Sequence, residues 1–91
     1  MVTAFILIKA ERNRIMPAAQ EILNLEGITE VYSVAGEWDL AAVARVAENE
    51  HLAKLVTEDM IAVQGLTDTT TLIAFRQYSK YDLDRMFGIG L

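Results

Sequence analysis

Cysteine is absent from this 91-residue sequence, and histidine and proline each occur once. The first absence removes disulfides, thiolate nucleophiles and cysteine-based zinc or iron–sulfur sites. The second leaves no histidine-rich metal cluster and a single side chain, His51, that titrates near neutral pH unaided. Basic charge is also scarce: eight Lys and Arg stand against thirteen Asp and Glu, a net charge of −5. Grip on nucleic-acid phosphates rests on basic charge and counterion release, so autonomous nucleic-acid binding is not expected. No apolar run approaches the ~20 residues that span a bilayer. The apolar stretch Val2–Ile8 lacks a basic leader and is followed by Lys9, Glu11, Arg12 and Arg14, the reverse of a signal peptide. The expectation is a soluble, cytoplasmic chain with no membrane segment. Glycine is sparse, with five residues, and no repeat or low-complexity tract marks a linker. Residues 1–91 therefore read as a single domain, with 78–91 as a C-terminal tail.

What is present is a 53% hydrophobic chain whose apolar residues are strongly patterned. Val2 to Ala10 reads as a strand. In the next segment Ile15, Ala18, Ile22 and Leu25 recur at three- and four-residue steps, a helix face, with Asn13 placed to cap it and Gly27 to stop it. Ile28 to Ala35 is a second strand, rich in β-branched and aromatic residues. Gly36-Glu37-Trp38 then makes a connection too short for a parallel crossover, so Asp39 to Ala47 pairs antiparallel with it. A second helix enters at Glu48 and Asn49 and buries Leu52, Leu55, Val56, Met60 and Val63. Thr67 to Gln77 is the fourth strand, and the tail has room for a helical turn around Tyr81 to Phe87. The order β-α-β-β-α-β predicts an α+β, ferredoxin-like sandwich: a four-stranded antiparallel sheet with both helices on one face.

Two helices cover one face of such a sheet, and the other should alternate to polar residues. Here it does not. Ala4, Ile6 and Ile8 oppose Phe5 and Leu7; Leu40, Ala42, Ala44 and Val46 oppose Ala41 and Val43; Ile73 and Phe75 oppose Leu72 and Ala74. An apolar second face would exceed the few hundred Å² that soluble monomers leave wet, so a homodimer packed sheet to sheet is expected. The apolar tail residues Met86, Phe87, Ile89 and Leu91 are expected to reach a neighbouring subunit or patch an edge.

Little of the chain displays chemistry. His51 reads as a solvated residue in the first turn of the second helix, Glu48 and Glu50 as helix-entry charge, and Asp68 and Glu58 supply no metal spacing. Two features stand above that background. In Gly36-Glu37-Trp38-Asp39-Leu40, Gly36 permits positive φ, Trp38 offers an apolar plane with one N–H donor, and Asp39 is an acceptor for a cation. The same residues also suit an ordinary turn with a packed Trp. In Thr67-Asp68-Thr69-Thr70-Thr71, Thr69 and Thr71 project from one face of the strand, ~7 Å apart. With nearby N–H groups such a pair could hold a carboxylate, although Thr is also simply a good strand residue.

These two runs, at these places in this topology, resemble the effector-binding domain of the Lrp/AsnC family (the regulation of amino acid metabolism, or RAM, domain). The similarity covers roughly Val2 to Tyr78. Gly36-Glu37-Trp38-Asp39 stands where the family tends to have Gly, any residue, an aromatic and Asp. Gly65-Leu66-Thr67-Asp68-Thr69-Thr70-Thr71 is similar to its Gly-Val-x-x-Thr-x-Thr run. The resemblance implies a dimeric α+β barrel, formed through the sheet, whose dimers assemble into octamers or decamers. It also implies an effector pocket, typically for an amino acid, at contacts between dimers. Carried over by position, Gly36, Trp38, Asp39 and Leu40 line one side, and Thr69 and Thr71 meet the ligand's polar groups. Trp38 in place of the more usual Tyr removes a hydroxyl and adds bulk. No catalytic residue, metal or cofactor is implied.

Full-length members carry an N-terminal helix-turn-helix, whereas this chain starts at strand one, as in the family's stand-alone modules. The expected role is a non-enzymatic sensor in transcription regulation that makes no direct DNA contact, with a full-length regulator as a possible co-assembly partner. The alternative is a small enzyme of the dimeric α+β barrel type, a monooxygenase or isomerase, for which His51, Arg45 and Arg76 are the candidates. A deep pocket between sheet and helices inside one subunit, with His51 or Arg45 pointing in, would favour the enzyme. A pocket between dimers lined by Trp38 and Thr71 would favour the sensor.

Overall fold

Strict alternation in the first nine strand residues organises the molecule. In the computed structural model, which describes residues 1–80, β1 (Val2–Ala10) places Ala4, Ile6 and Ile8 at zero exposure on one face. A single 3₁₀ turn (Arg12–Arg14) leads into α1 (Ile15–Leu23). β2 (Ile28–Ser33) and β3 (Leu40–Val46) form the hairpin. α2 (Asn49–Lys54) runs on into a π-helical turn (Leu55–Asp59), and β4 is Leu66–Ile73. The sheet order is β2-β3-β1-β4, all neighbours antiparallel. This is the ferredoxin-like α+β arrangement the element order predicts.

The core lies between the sheet and the helices. Ala18 and Ile22 of α1, and Leu52, Leu55, Met60 and Val63 along α2 and its continuation, pack on Ala4, Ile6, Ile8, Leu40, Ala42, Ala44 and Val46. The expected apolar stripe is thus in place, with Val56 only partly buried. Its five-residue step from Leu55 to Met60 is accommodated by the widened turn, in which the Met60 N–H donates to the Leu55 carbonyl at 2.8 Å. Gly65, at φ +91°, ends this segment and is a close approach: a Cβ there would lie 2.6 Å from Arg14 Cβ, and its carbonyl accepts the Glu11 N–H at 2.8 Å.

Several boundaries differ from the sequence reading. β2 stops at Ser33 rather than Ala35, because its pairing with β3 ends at Ser33↔Leu40. β3 is trimmed by one residue at each end relative to Asp39–Ala47. β4 starts at Leu66 rather than Thr67 and closes at Ile73, four residues short of Gln77. Its partner β1 begins at Val2, the last pair is Ala4↔Ile73, and one further bond runs from the Ala74 N–H to the Thr3 carbonyl. Phe75, which in that register would stand opposite Val2, makes no ladder pair and is fully exposed. Asn13 does not cap α1, nor does Glu48 cap α2 with its side chain; backbone bonds to the Glu11 and Glu48 carbonyls close those turns instead. The helical turn expected around Tyr81–Phe87, and the tail's apolar residues, lie outside the described residues.

The uncovered face of the sheet follows from the register. Phe5↔Val43, Leu7↔Ala41, Phe5↔Leu72 and Tyr32↔Ala41 are cross-strand pairs on the side away from the helices. Phe5, Tyr32 and Leu72 are each about half exposed, but Val43 is only 7% exposed and Leu7 and Ala41 are half-buried. The larger side chains flanking them shield the centre, so the wet apolar patch is smaller than alternation alone implies. Charged groups frame it: Lys9 and Asp68 at one end, Arg45 and Glu30 at the other.

Candidate functional site

The β2–β3 turn is held by three bonds. The Val34 N–H donates to the Asp39 carbonyl at 3.1 Å and closes the loop. The Asp39 N–H donates to the Ile8 carbonyl at 2.9 Å, and the Asp39 carboxylate accepts the Ala10 N–H at 3.0 Å. Gly36 sits at φ +120°, which side-chain-bearing residues rarely adopt, and nothing lies within 4 Å of where a Cβ would be. The turn is thereby clamped to the central strand at the place where β1 is about to end. Trp38, half-buried, is presented beside it.

Lys9, the residue after Ile8 in the alternation, leaves β1 on the open face and carries its ammonium to 5.3 Å from the Trp38 ring centroid. In register it faces Asp68 of β4, and the ladder bulges between Lys9 and Ala10. Among the described residues no carboxylate lies within ion-pair distance of that ammonium. The sequence reading does not single out Lys9. Its signal is the single charge ending an apolar alternation; its partner cannot be read, because Trp38 reaches it only through the turn.

Of the six residues singled out from the sequence, five gather at one end of the sheet, Thr71 stands further along opposite Ile6, and the six do not share one surface. Leu40, Ile8 and Thr69 form a row across β3, β1 and β4 on the helix-facing side. Leu40 is 1% exposed and belongs to the core, so it supports the turn from beneath. Thr69 and Thr71 do share a face, opposite Ile8 and Ile6, and that face looks toward α2. Thr69 lines a groove of about 330 Å³ with Val56, Met60 and Leu66. Thr71 lines another, of about 630 Å³, with Leu52, Val56, Ile73 and Phe75. Neither groove contains Trp38 or Asp39, which stand with Lys9 at the other side of the sheet's end.

At the opposite end, Arg45 Nη1 donates to Thr29 Oγ1 at 2.8 Å and lies 3.5 Å from the Glu30 carboxylate, which also accepts the Tyr32 hydroxyl. The Tyr32 hydrogen bond, with help from Arg45, holds the Glu30 carboxyl below the usual range, and that same carboxylate pushes the Tyr32 phenol up. Arg45 and His51 line a groove of about 460 Å³ together with Glu26, Lys54 and Asp59, where Lys54 and Asp59 pair at 3.3 Å. Among the described residues no group of His, Asp or Glu is arranged to hold a metal ion, and no helix is long and apolar enough to cross a membrane.

Comparison with known proteins places this geometry. An HTH-type transcriptional regulator of Pyrococcus furiosus, PF0250, is 34% identical over 76 residues, which is 80% of this chain and 51% of that protein. This chain thus spans about half the length of the curated regulators it matches. The crystal structure of TTHA0845 from Thermus thermophilus superposes with a TM-score of 0.83 at 40% identity, covering 88% of this chain and all of that one. A feast or famine regulatory protein of Mycobacterium tuberculosis, solved as a complex with L-methionine, shares the fold at 24% identity (TM-score 0.72, 88% of this chain and 54% of that one). The family model described as the Lrp/AsnC ligand binding domain matches residues 3–83. By sequence over nearly its whole length and by fold, this chain belongs to the Lrp/AsnC ligand-binding domain family.

Proposed function

We propose that this chain is a non-enzymatic sensor of a small molecule, an amino acid, built to work as an assembly in transcription regulation. The observation that carries the reading is the clamped turn. Asp39 spends its carboxylate and N–H on the central strand to hold Trp38 at the sheet's rim, a rigid apolar wall. Two copies pack through their open faces, burying Phe5, Leu72 and Tyr32, and dimers join further into an octameric or decameric ring.

Within one copy Trp38 and the Thr69–Thr71 pair lie on opposite sides of the sheet. A pocket using both is completed where copies meet, one giving Gly36, Trp38 and Asp39 and another giving Thr69 and Thr71. L-Methionine, bound by the Mycobacterium tuberculosis relative, is a first candidate effector. At net −5 the chain makes no DNA contact itself and acts through association, with a regulator bearing a helix-turn-helix as one partner. Calorimetry against the twenty amino acids, with the mass in solution measured before and after, tests this. Binding of one of them at sub-millimolar concentration by an oligomer is expected; no heat with any at 5 mM would refute it.

The enzymatic alternative has one observation in its favour, the groove shared by Arg45 and His51. It lies at the sheet's end, lined by the α1–β2 connection, the end of β3 and α2, and its Arg45 guanidinium is engaged by Thr29 and Glu30. His51→Asn is expected to leave amino-acid binding unchanged.

A further inference from the structure

The threonine pair of the same copy faces α2, so any donor that this copy adds to another copy's threonines for an effector at Trp38 stands on Trp38's own side of the sheet. We infer that Lys9 is a specificity-determining residue of the effector site: its ammonium, held against the Trp38 ring, receives the ligand's carboxylate while the ligand's apolar part packs on the indole. This rests on the sensor reading above and adds the ligand's charge to it.

Three observations converge on Lys9. The alternation of β1 sends it to the open face, and its Nζ stands 5.3 Å from the ring centroid, so cation and apolar wall are contiguous. No described carboxylate pairs with it, although Asp68 lies directly across the ladder and Asp39 just beyond. Asp39 is committed to the Ala10 N–H, which keeps its charge aimed at the backbone. The result is a cation flanked by acids that do not neutralise it. An α-amino acid matches that pattern: its carboxylate goes to Lys9 and its ammonium to the neighbouring acid, Asp68. An amine without the carboxylate meets the Lys9 cation, and an acid without the ammonium meets Asp68. The bulge at Lys9–Ala10 frees the local ladder where the ligand's polar groups arrive.

The test is calorimetry on the full chain. The twenty standard L-amino acids identify the tightest binder. That amino acid and its α-carboxamide are then titrated into wild type, Lys9→Met and Lys9→Arg, with circular dichroism confirming the fold. A charge-assisted contact predicts that wild type binds the acid about tenfold or more tighter than the amide, that Lys9→Met loses this preference, and that Lys9→Arg keeps most of it. If Lys9→Met binds the acid as wild type does, or wild type binds the amide equally well, the assignment of Lys9 is overturned while the sensor reading stands. If none of the twenty binds to wild type at 5 mM, both fall together.

Discussion

Phe5→Glu should dissolve the proposed sheet-to-sheet dimer while sparing the fold. Phe5 points away from the helices, between Val43 and Leu72, so its removal leaves the core of Ile6, Ile8 and Ile22 untouched. With 44% of the ring exposed in a single copy and about 200 Å² for a Phe side chain, each partner contributes ~90 Å² at this position. Across a two-fold axis that is ~180 Å², or about 4–5 kcal/mol at ~25 cal/mol per Å², and roughly a thousandfold in the dimer dissociation constant. Two carboxylates brought face to face add repulsion. Sedimentation over a concentration series reads this directly: wild type at twice 10.1 kDa or a multiple of it, and the variant at 10.1 kDa with an unchanged far-ultraviolet spectrum. A variant that keeps the wild-type mass into the low micromolar range would refute the reasoning, as would a wild type that already sediments as one chain.

Other perturbations have defined outcomes. Trp38→Ala and Thr71→Ala are each expected to weaken effector binding about tenfold or more, read by calorimetry, and Trp38→Ala should leave denaturant stability nearly unchanged. Gly65→Ala should lower stability by roughly 1–3 kcal/mol in urea unfolding, since its φ is +91° and the new methyl meets Arg14. Ile6→Ala, in the middle of the core, should cost about 2–5 kcal/mol in the same assay. The Glu30–Tyr32–Arg45 cluster gives a pH signature of known sign. Glu30's depressed carboxyl contributes stability that is present above its unfolded value and lost as pH falls through its folded one. Tyr32's raised phenol contributes below its unfolded value and loses that contribution as pH rises past its folded one. Tyr32→Phe should move the Glu30 titration up toward the ordinary carboxylate range in an NMR pH series; an unmoved Glu30 would contradict the hydrogen bond's role.

The order and type of the four strands and two α-helices within residues 1–80 were legible because β1 alternates with period two and the α1 stripe, Ile15, Ala18 and Ile22, repeats with helical period. Strand ends were not. Thr67 to Gln77 has strand composition throughout, but a strand needs a partner: continued past Ala4↔Ile73, the register brings Phe75 to Val2, the first residue of β1, and leaves Arg76 and Gln77 beyond it. The π-helical turn was visible only as the wide step from Leu55 to Met60, which a regular helix pattern absorbs without notice. At the site, the turn itself could be read from Gly36 and Asp39, while the side of the sheet on which Trp38 would stand could not. That depends on the register of three strands and on where the Asp39 carboxylate binds. For the same reason the threonines could be paired with each other but not placed relative to Trp38.

The tie between the Asp39 carboxylate and the Ala10 amide, with the Ile8 carbonyl bond beside it, means that a molecule arriving at this corner finds a surface already set. Little protein motion has to be frozen when it lands, so even a compound the size of one amino acid can be held with useful strength. Tuning for a different compound then calls for changes at the indole's position or at Lys9, with the two tethers left alone.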